Sequence, residues 1–183
     1  MRPWTDQPVA LPALAGTALF GADIMYILEH AMAERRAGQG PLTHRLGLSG
    51  AELTALRDKW LPNALLPDLH LPAPERPSDQ QAIATLILWK SEAGTPEARW
   101  LAAIIARRAM ETRHLWEDLG LPNRAYLSAM IRRHLPGLAA ANHANMRWKK
   151  FFYRQICSDA AFSLCLSPTC DDCPERADCF APD

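Results

Sequence analysis

The chain has 183 residues, 49% of them hydrophobic, and its 20 basic residues are balanced by 20 acidic ones. That length supports one domain with a proper core, and the apolar content excludes overall disorder. A net charge of zero excludes a whole-surface field for nucleic acid or a membrane face, so any charge asymmetry is local.

Val9 to Ala22 is apolar and ends in small residues, the one stretch that resembles an export signal. Only Arg2 is basic before it, Asp6 follows, and Pro8 and Pro12 break the run, so it does not read as one. The longest strongly apolar run, Ala82 to Trp89, is far shorter than the roughly 20 residues a membrane helix needs. Thr17 to Arg36 predicts a first helix with Ile24, Ile27 and Leu28 inward, closed by Gly38 and Gly40. Ser49-Gly50-Ala51-Glu52 has the form of a capping box and opens a helix whose apolar face includes Leu53, Leu56 and Trp60.

Pro62, Pro67, Pro72, Pro74 and Pro77 forbid a regular helix across residues 62–77, which reads as a connector between two helical halves. Ser78 with Gln81 predicts a second capping box, opening a helix from Asp79 to Lys90. Thr95-Pro96 starts another, running to about Met110, with Trp100, Leu101, Ile104 and Ile105 inward and Arg99, Arg107 and Arg108 outward. A short segment from His114 to Leu119 stops at Gly120 and Pro122. Asn123 caps a helix to His134, ended by Pro136-Gly137, and a last helix covers about Ala139 to Cys157. The expected fold is all-α: a single helical domain of about six to seven helices over residues 1–164, then a cysteine-rich metal-cluster tail over 165–183. No internal repeat is visible.

That tail carries Cys165, Cys170, Cys173 and Cys179, spaced C-x4-C-x2-C-x5-C among turn-forming and polar residues. Disulfides fit poorly, because the five cysteines are odd in number and all lie after residue 156, where they could not staple a fold. A reducing, cytoplasmic setting and a metal site fit better. Structural zinc usually pairs two C-x2-C knuckles across a long gap; only one is present here, with outer cysteines further away. The spacing favours an iron–sulfur cluster and leaves zinc as its rival.

Asn142 to Ile156, leading into the tail, contains Arg147, Lys149, Lys150 and Arg154 and no acid. These cations are read in two ways, as a solvated face or as groups that stabilise an anionic cluster or dock an acidic partner. Trp148, Phe151, Phe152 and Tyr153 alternate with them and could mimic a base-stacking surface, but Trp148 and Phe152 share a helix face, so a core-facing aromatic edge is the simpler reading. Cys157 reads as a buried free thiol and as a candidate extra sulfur ligand. His114, His134 and His143 are candidates for a non-thiolate ligand.

Two rivals follow from the same residues. A helix-hairpin-helix DNA glycosylase also ends in a cysteine loop, and Leu135-Pro136-Gly137-Leu138 mimics its hairpin. Ala139 replaces the second glycine there and Ala141 stands where the catalytic lysine belongs, so base excision has no nucleophile. A zinc-stabilised helical interaction module is the other. No catalytic constellation appears, and an enzyme is not expected.

Taken together, the tail cysteines, the segment Arg147-Trp148-Lys149-Lys150-Phe151-Phe152-Tyr153-Arg154-Gln155-Ile156-Cys157 and the segment His114-Leu115-Trp116-Glu117-Asp118-Leu119-Gly120-Leu121 resemble the NifQ family of nitrogen-fixation proteins. The three motifs occur in that family's order across residues 100–180, and residues 1–77 add little beyond helical pattern. One departure is Ala181, where a glycine is expected after Phe180. The resemblance implies a molybdenum–iron–sulfur protein that processes molybdenum and delivers it for nitrogenase iron–molybdenum cofactor assembly. It implies that the four tail cysteines hold a cluster of Mo-Fe-S, 4Fe-4S or 3Fe-4S type. The implied partners are the NifEN scaffold complex and dinitrogenase reductase, with no nucleic acid and no membrane.

Overall fold

The computed structural model describes the backbone of residues 16–159 and the side chains of residues 19–156. Nine helices and no strands occur among the described residues: α1 (Gly16–Arg36), α2 (Leu42–Leu46), α3 (Gly50–Trp60), α4 (Ser78–Ser91), α5 (Pro96–Ala109), α6 (Leu115–Asp118), α7 (Arg124–His134), α8 (Pro136–Ala141) and α9 (Trp148–Asp159). The all-α expectation holds, with more and shorter helices than the six or seven expected. The four tail cysteines lie outside the described residues.

α5 is the axis of the core. Ala98, Trp100 to Ala106, Arg108 and Ala109 are all buried, so past its first turn it is apolar almost all round. A helix of that kind must be enclosed by neighbours. α4 packs against it as the other arm of a helical hairpin, while α2, α3 and α6 cover its remaining sides. α4 in turn supports α8 and α9, and α1 packs on α2 and α7. From α1, the buried stripe Phe20, Ile24, Ile27, Leu28 and Ala31 follows the helical repeat.

The start signals at Ser49, Thr95 and Asn123 are realised. Ser49 Oγ accepts from Glu52 N at 3.2 Å while Ser49 N donates to the Glu52 carboxylate at 2.7 Å. Thr95 Oγ1 accepts from Ala98 N, and Asn123 Oδ1 from Tyr126 N. The box expected at Ser78 does not form. Ser78 is already the first helical residue after Pro77, and the Gln81 amide donates instead to the Arg76 carbonyl at 2.7 Å.

The single last helix expected from Ala139 to Cys157 is two helices. Pro136 opens α8, where its missing N–H costs nothing, and does not merely end α7. Asn142 then breaks the chain: its side chain accepts from Met146 N and donates to Met146 O, both at 2.9 Å, offering the backbone an alternative to the helix. α2 had no strong sequence signal, being five residues long and stopped by Gly47 in the left-handed region.

The proline-rich connector is tied down. Asp68 accepts from Arg35 Nε at 2.6 Å, Arg35 Nη2 at 3.0 Å and Leu42 N at 2.8 Å, joining the end of α1 to the start of α2. Gly137 explains the hairpin mimicry: a Cβ there would stand 2.3 Å from the Lys90 carbonyl, so the glycine serves the α8–α4 crossing.

Arg108 corrects a second expectation. It was placed outward with Arg99 and Arg107, yet it is fully buried. Its position is four residues from Ile104 and seven from Leu101, so periodicity puts it on the core face and only its charge argued otherwise.

Candidate functional site

Two of the sequence motifs meet in space. The loop from the end of α5 into α6 lies against the first turn of α9, and Lys149 joins them. Its ammonium donates to the Glu111 carbonyl, the Arg113 carbonyl and Asp118 Oδ2, each at 2.6 Å. An ammonium has three protons, and all three are taken. Asp118, buried on α6, also faces Arg113 Nε at 3.4 Å. Trp148, Phe151 and Phe152 are buried and stack on one another with ring centroids 5.7–6.0 Å apart. Trp148 Nε1 donates to Ser128 Oγ on α7 at 3.3 Å. The aromatic residues are therefore core, as helical spacing predicts. Lys149→Met is expected to destabilise the fold by about 1.5–3 kcal/mol, because Asp118 and two carbonyls lose a charged donor. Equilibrium urea unfolding measures it, and a change below about 0.5 kcal/mol would count against this role.

Beside this joint lies a cleft of about 520 Å³ between α1, α2 and the turn after α5, lined among others by His30, Glu34, Arg45, Glu111, Arg113 and Asp118. Glu34 is its centre. Arg45 forks onto it through Nη2 at 2.6 Å and Nε at 3.0 Å, and Arg108 Nη1 reaches it from the core at 2.7 Å. Glu111 takes Arg45 Nη1 at 3.2 Å and Arg107 Nη1 at 2.9 Å. Burial would raise the Glu34 carboxyl, but the two guanidiniums outweigh it and hold it below its ordinary value. His30 is lowered too: burial lowers it, Glu34 opposes this, and the charges of Arg108, Arg113 and Arg45 add to the lowering. Gly120 fits the motif to this wall. Its φ of +71° is left-handed, and a Cβ there would meet His30 Cβ at 2.3 Å.

A separate polar knot fastens α1 to α7. Asp23, buried, accepts from Tyr126 Oη at 2.8 Å and from Arg133 Nη2 at 2.8 and 2.9 Å, and lies 2.7 Å from His134 Nε2. Burial alone would raise this carboxyl; hydrogen bonds with His134, Arg133 and Tyr126 outweigh it and keep it below the ordinary value of 3.8. A depressed carboxylate contributes stability above its unfolded pKa and loses it as pH falls through the folded one. Acid unfolding of the parent chain is thus expected to steepen below about pH 4 relative to Asp23→Asn. Parallel acid titrations of the two chains measure this, and equally steep transitions would refute the assignment.

Of the sequence candidates, Lys149 is engaged inside the fold, Lys150 is exposed, and Arg147 and Arg154 are partly exposed on or beside α9. The backbone of Cys157 falls near the end of α9, and its side chain lies outside the described residues. His134 is held by Asp23, His114 precedes α6, and His143 is exposed in the turn before α9. The three histidines are not brought together. Among the described residues no group of three or more His, Cys, Asp or Glu side chains is placed to hold a metal ion. Nor is any helix there long and apolar enough to cross a membrane. The cluster around Glu34 and Arg108 escaped sequence reading, although the i, i+7 spacing of Leu101 and Arg108 carried a signal for it.

The described residues, all helical and with the last helix fixed beside a charged cleft, define a helical protein, and in sequence four cysteines follow that helix. The NifQ family profile matches residues 25–181, most of the chain and both ends of the motif set. Protein NifQ of Rhodobacter capsulatus is 73% identical over 158 residues, covering 86% of this chain and 88% of its own length. Protein NifQ of Klebsiella pneumoniae is 37% identical over 157 residues, covering 79% and 90%. A NifQ homolog of Sinorhizobium fredii is 39% identical over 160 residues, covering 84% and 68%. The chain belongs to the NifQ family. No solved structure matches it.

Proposed function

We propose that this protein carries molybdenum on an iron–sulfur cluster and donates it to assembly of the nitrogenase iron–molybdenum cofactor. Family membership over residues 25–181 carries this reading, since it supports a role in molybdenum processing for nitrogenase and the matched span includes all four tail cysteines. Cys165, Cys170, Cys173 and Cys179 are the ligands, with thiolate sulfur suited to iron and to reduced molybdenum. A vertex with fewer protein ligands leaves its metal exchangeable, as a donor requires. The protein acts as a carrier and not as a catalyst, in the reducing cytoplasm. It hands its cargo to the NifEN scaffold complex and dinitrogenase reductase.

The test is molybdenum-dependent cofactor synthesis in a purified assembly mixture, with the metal-loaded protein as the sole molybdenum source. Cofactor formation is expected. A loaded protein that yields none would reduce the role to cluster binding. Protein purified without oxygen should be brown and contain iron with sulfide, whereas a colourless chain holding one zinc would replace the cluster with a structural ion.

A further inference from the structure

A second cleft lies at the start of α9, and its charge is one-sided. About 170 Å³ in volume, it is lined among others by Arg113, His114, Trp116, Arg147, Lys149 and Lys150. Among the described residues no carboxylate lines it. Two acids border it: Asp118, which faces Lys149 and Arg113, and Glu117, which accepts from His114 N at 3.0 Å. Even with the border counted, four cations stand against two acids. The first turn of α9 forms one wall, and the N-terminus of a helix adds positive partial charge. Trp116 Nε1 is buried without an acceptor, and an indole N–H can only donate. A buried donor left unpaired costs free energy that an acceptor entering beside it would recover. The cleft holds several times the roughly 30 Å³ share of one water, so it admits a carboxylate.

The C-terminal segment has the opposite charge. Residues 160–183 hold Asp171, Asp172, Glu175, Asp178 and Asp183 against Arg176 alone, a formal net −4, so in a neutral chain residues 1–159 carry +4. That segment is also within reach. Lys150 stands about 14 Å before Asp159 along α9, and the chain from Asp159 to Asp171 can extend about 40 Å. A tethered segment acts at an effective concentration on the order of millimolar, which favours it over a free acidic chain. We propose that this cleft is the docking site of the chain's own acidic tail, with the carboxylates of Asp171 and Asp172 seated among Arg113, Arg147 and Lys150. Those two residues stand between Cys170 and Cys173, so docking holds the thiol-rich segment against the basic start of α9. It depends neither on which metal the cysteines hold nor on delivery of that metal.

Zero-length carbodiimide cross-linking of the full chain, purified without oxygen, tests it. The reagent joins a lysine amine to a carboxylate only when the two touch, and the chain's other exposed-side lysines, Lys59 and Lys90, serve as internal controls. An amide between Lys150 and Asp171 or Asp172 is expected in the monomer fraction, and it should fade at about 0.5 M sodium chloride as screening weakens the pairs. Tryptic release of residues 177–183 gives a second readout, because Arg176 is the one tryptic site after Arg154. Replacing Asp171 and Asp172 together by asparagine should speed that cleavage about threefold to thirtyfold. Arg113→Gln should speed it as well, with metal content unchanged. Arg113 is over half exposed and faces Asp118 only at 3.4 Å, so this variant should keep its melting curve. No Lys150 link to the tail, or one no more frequent than those of Lys59 and Lys90, would overturn the proposal. So would a link confined to a cross-linked dimer, which would make the occupant a second copy, or cleavage at Arg176 untouched by both the asparagine and the Arg113 changes. Loss of cofactor synthesis with the cross-link intact would count against the donor reading alone.

Discussion

Replacing Cys170 or Cys173 by serine is expected to abolish metal loading while leaving the melting curve of the helical domain unchanged. The two residues form the single C-x2-C pair of the tail, and the proposed cluster role assigns them to adjacent corners. Serine is nearly isosteric, but its hydroxyl is a hard donor that stays protonated near neutral pH, a poor substitute for thiolate on iron or reduced molybdenum. Iron, sulfide and molybdenum analysis after anaerobic purification provides the readout, and full loading of either variant would sink the ligand assignment. Cys157→Ser should load as the parent does, or slightly less. The contrast separates a ligand from a thiol that merely lies nearby in sequence.

Glu34→Leu is expected to be the most damaging single change in the helical domain. Glu34 is the carboxylate shared by Arg45 and Arg108, and among the described residues it is the one ion-pair partner of Arg108. Removing one member of a buried pair typically costs about 3–5 kcal/mol, because the charge left behind stays dry. For a domain of this size that is a fall in melting temperature of roughly 6–20 °C. Replacing Arg108 by methionine together with Glu34→Leu should recover part of the loss, since removing both charges removes the unpaired one. A double variant no more stable than the single one would show that the cost comes from packing and not from the stranded guanidinium.

Helix type and most starts were legible because they rest on local chemistry: caps at Ser49, Thr95 and Asn123, prolines in the connector, and an apolar repeat in α1 and α5. The failures have two causes, a partner far away in sequence for Arg108 and local competition with the backbone for Asn142 and Ser78. Arg108 is inside because Glu34 comes from a helix over seventy residues earlier. Asn142 stops a helix by bonding Met146 across a turn that Arg124 also reaches, donating from Nη2 to the Asn145 carbonyl at 2.6 Å. Ser78 looked like a cap until Pro77 set the helix start one residue early. For the functional site, the cysteine spacing and the two flanking motifs were readable as text. The cleft was not, because it is assembled from α1, α2 and the α5–α6 turn and has no contiguous signature.

The lock on the first turn of α9 has a consequence for chain length. Lys149, Trp148 and Phe152 fix both the axial position and the rotation of this helix, and the Cys157 backbone lies about 12 Å further along it. Each residue of a helix turns the chain by about 100°, so inserting one alanine between Tyr153 and Cys157 would re-aim everything after it by more than a quarter turn. Four inserted alanines would nearly restore the heading while lengthening the arm by about 6 Å. In α9, angular phase and reach can therefore be varied separately. In the proposed donor role, delivery of metal to a second protein is expected to depend on the first more sharply than on the second.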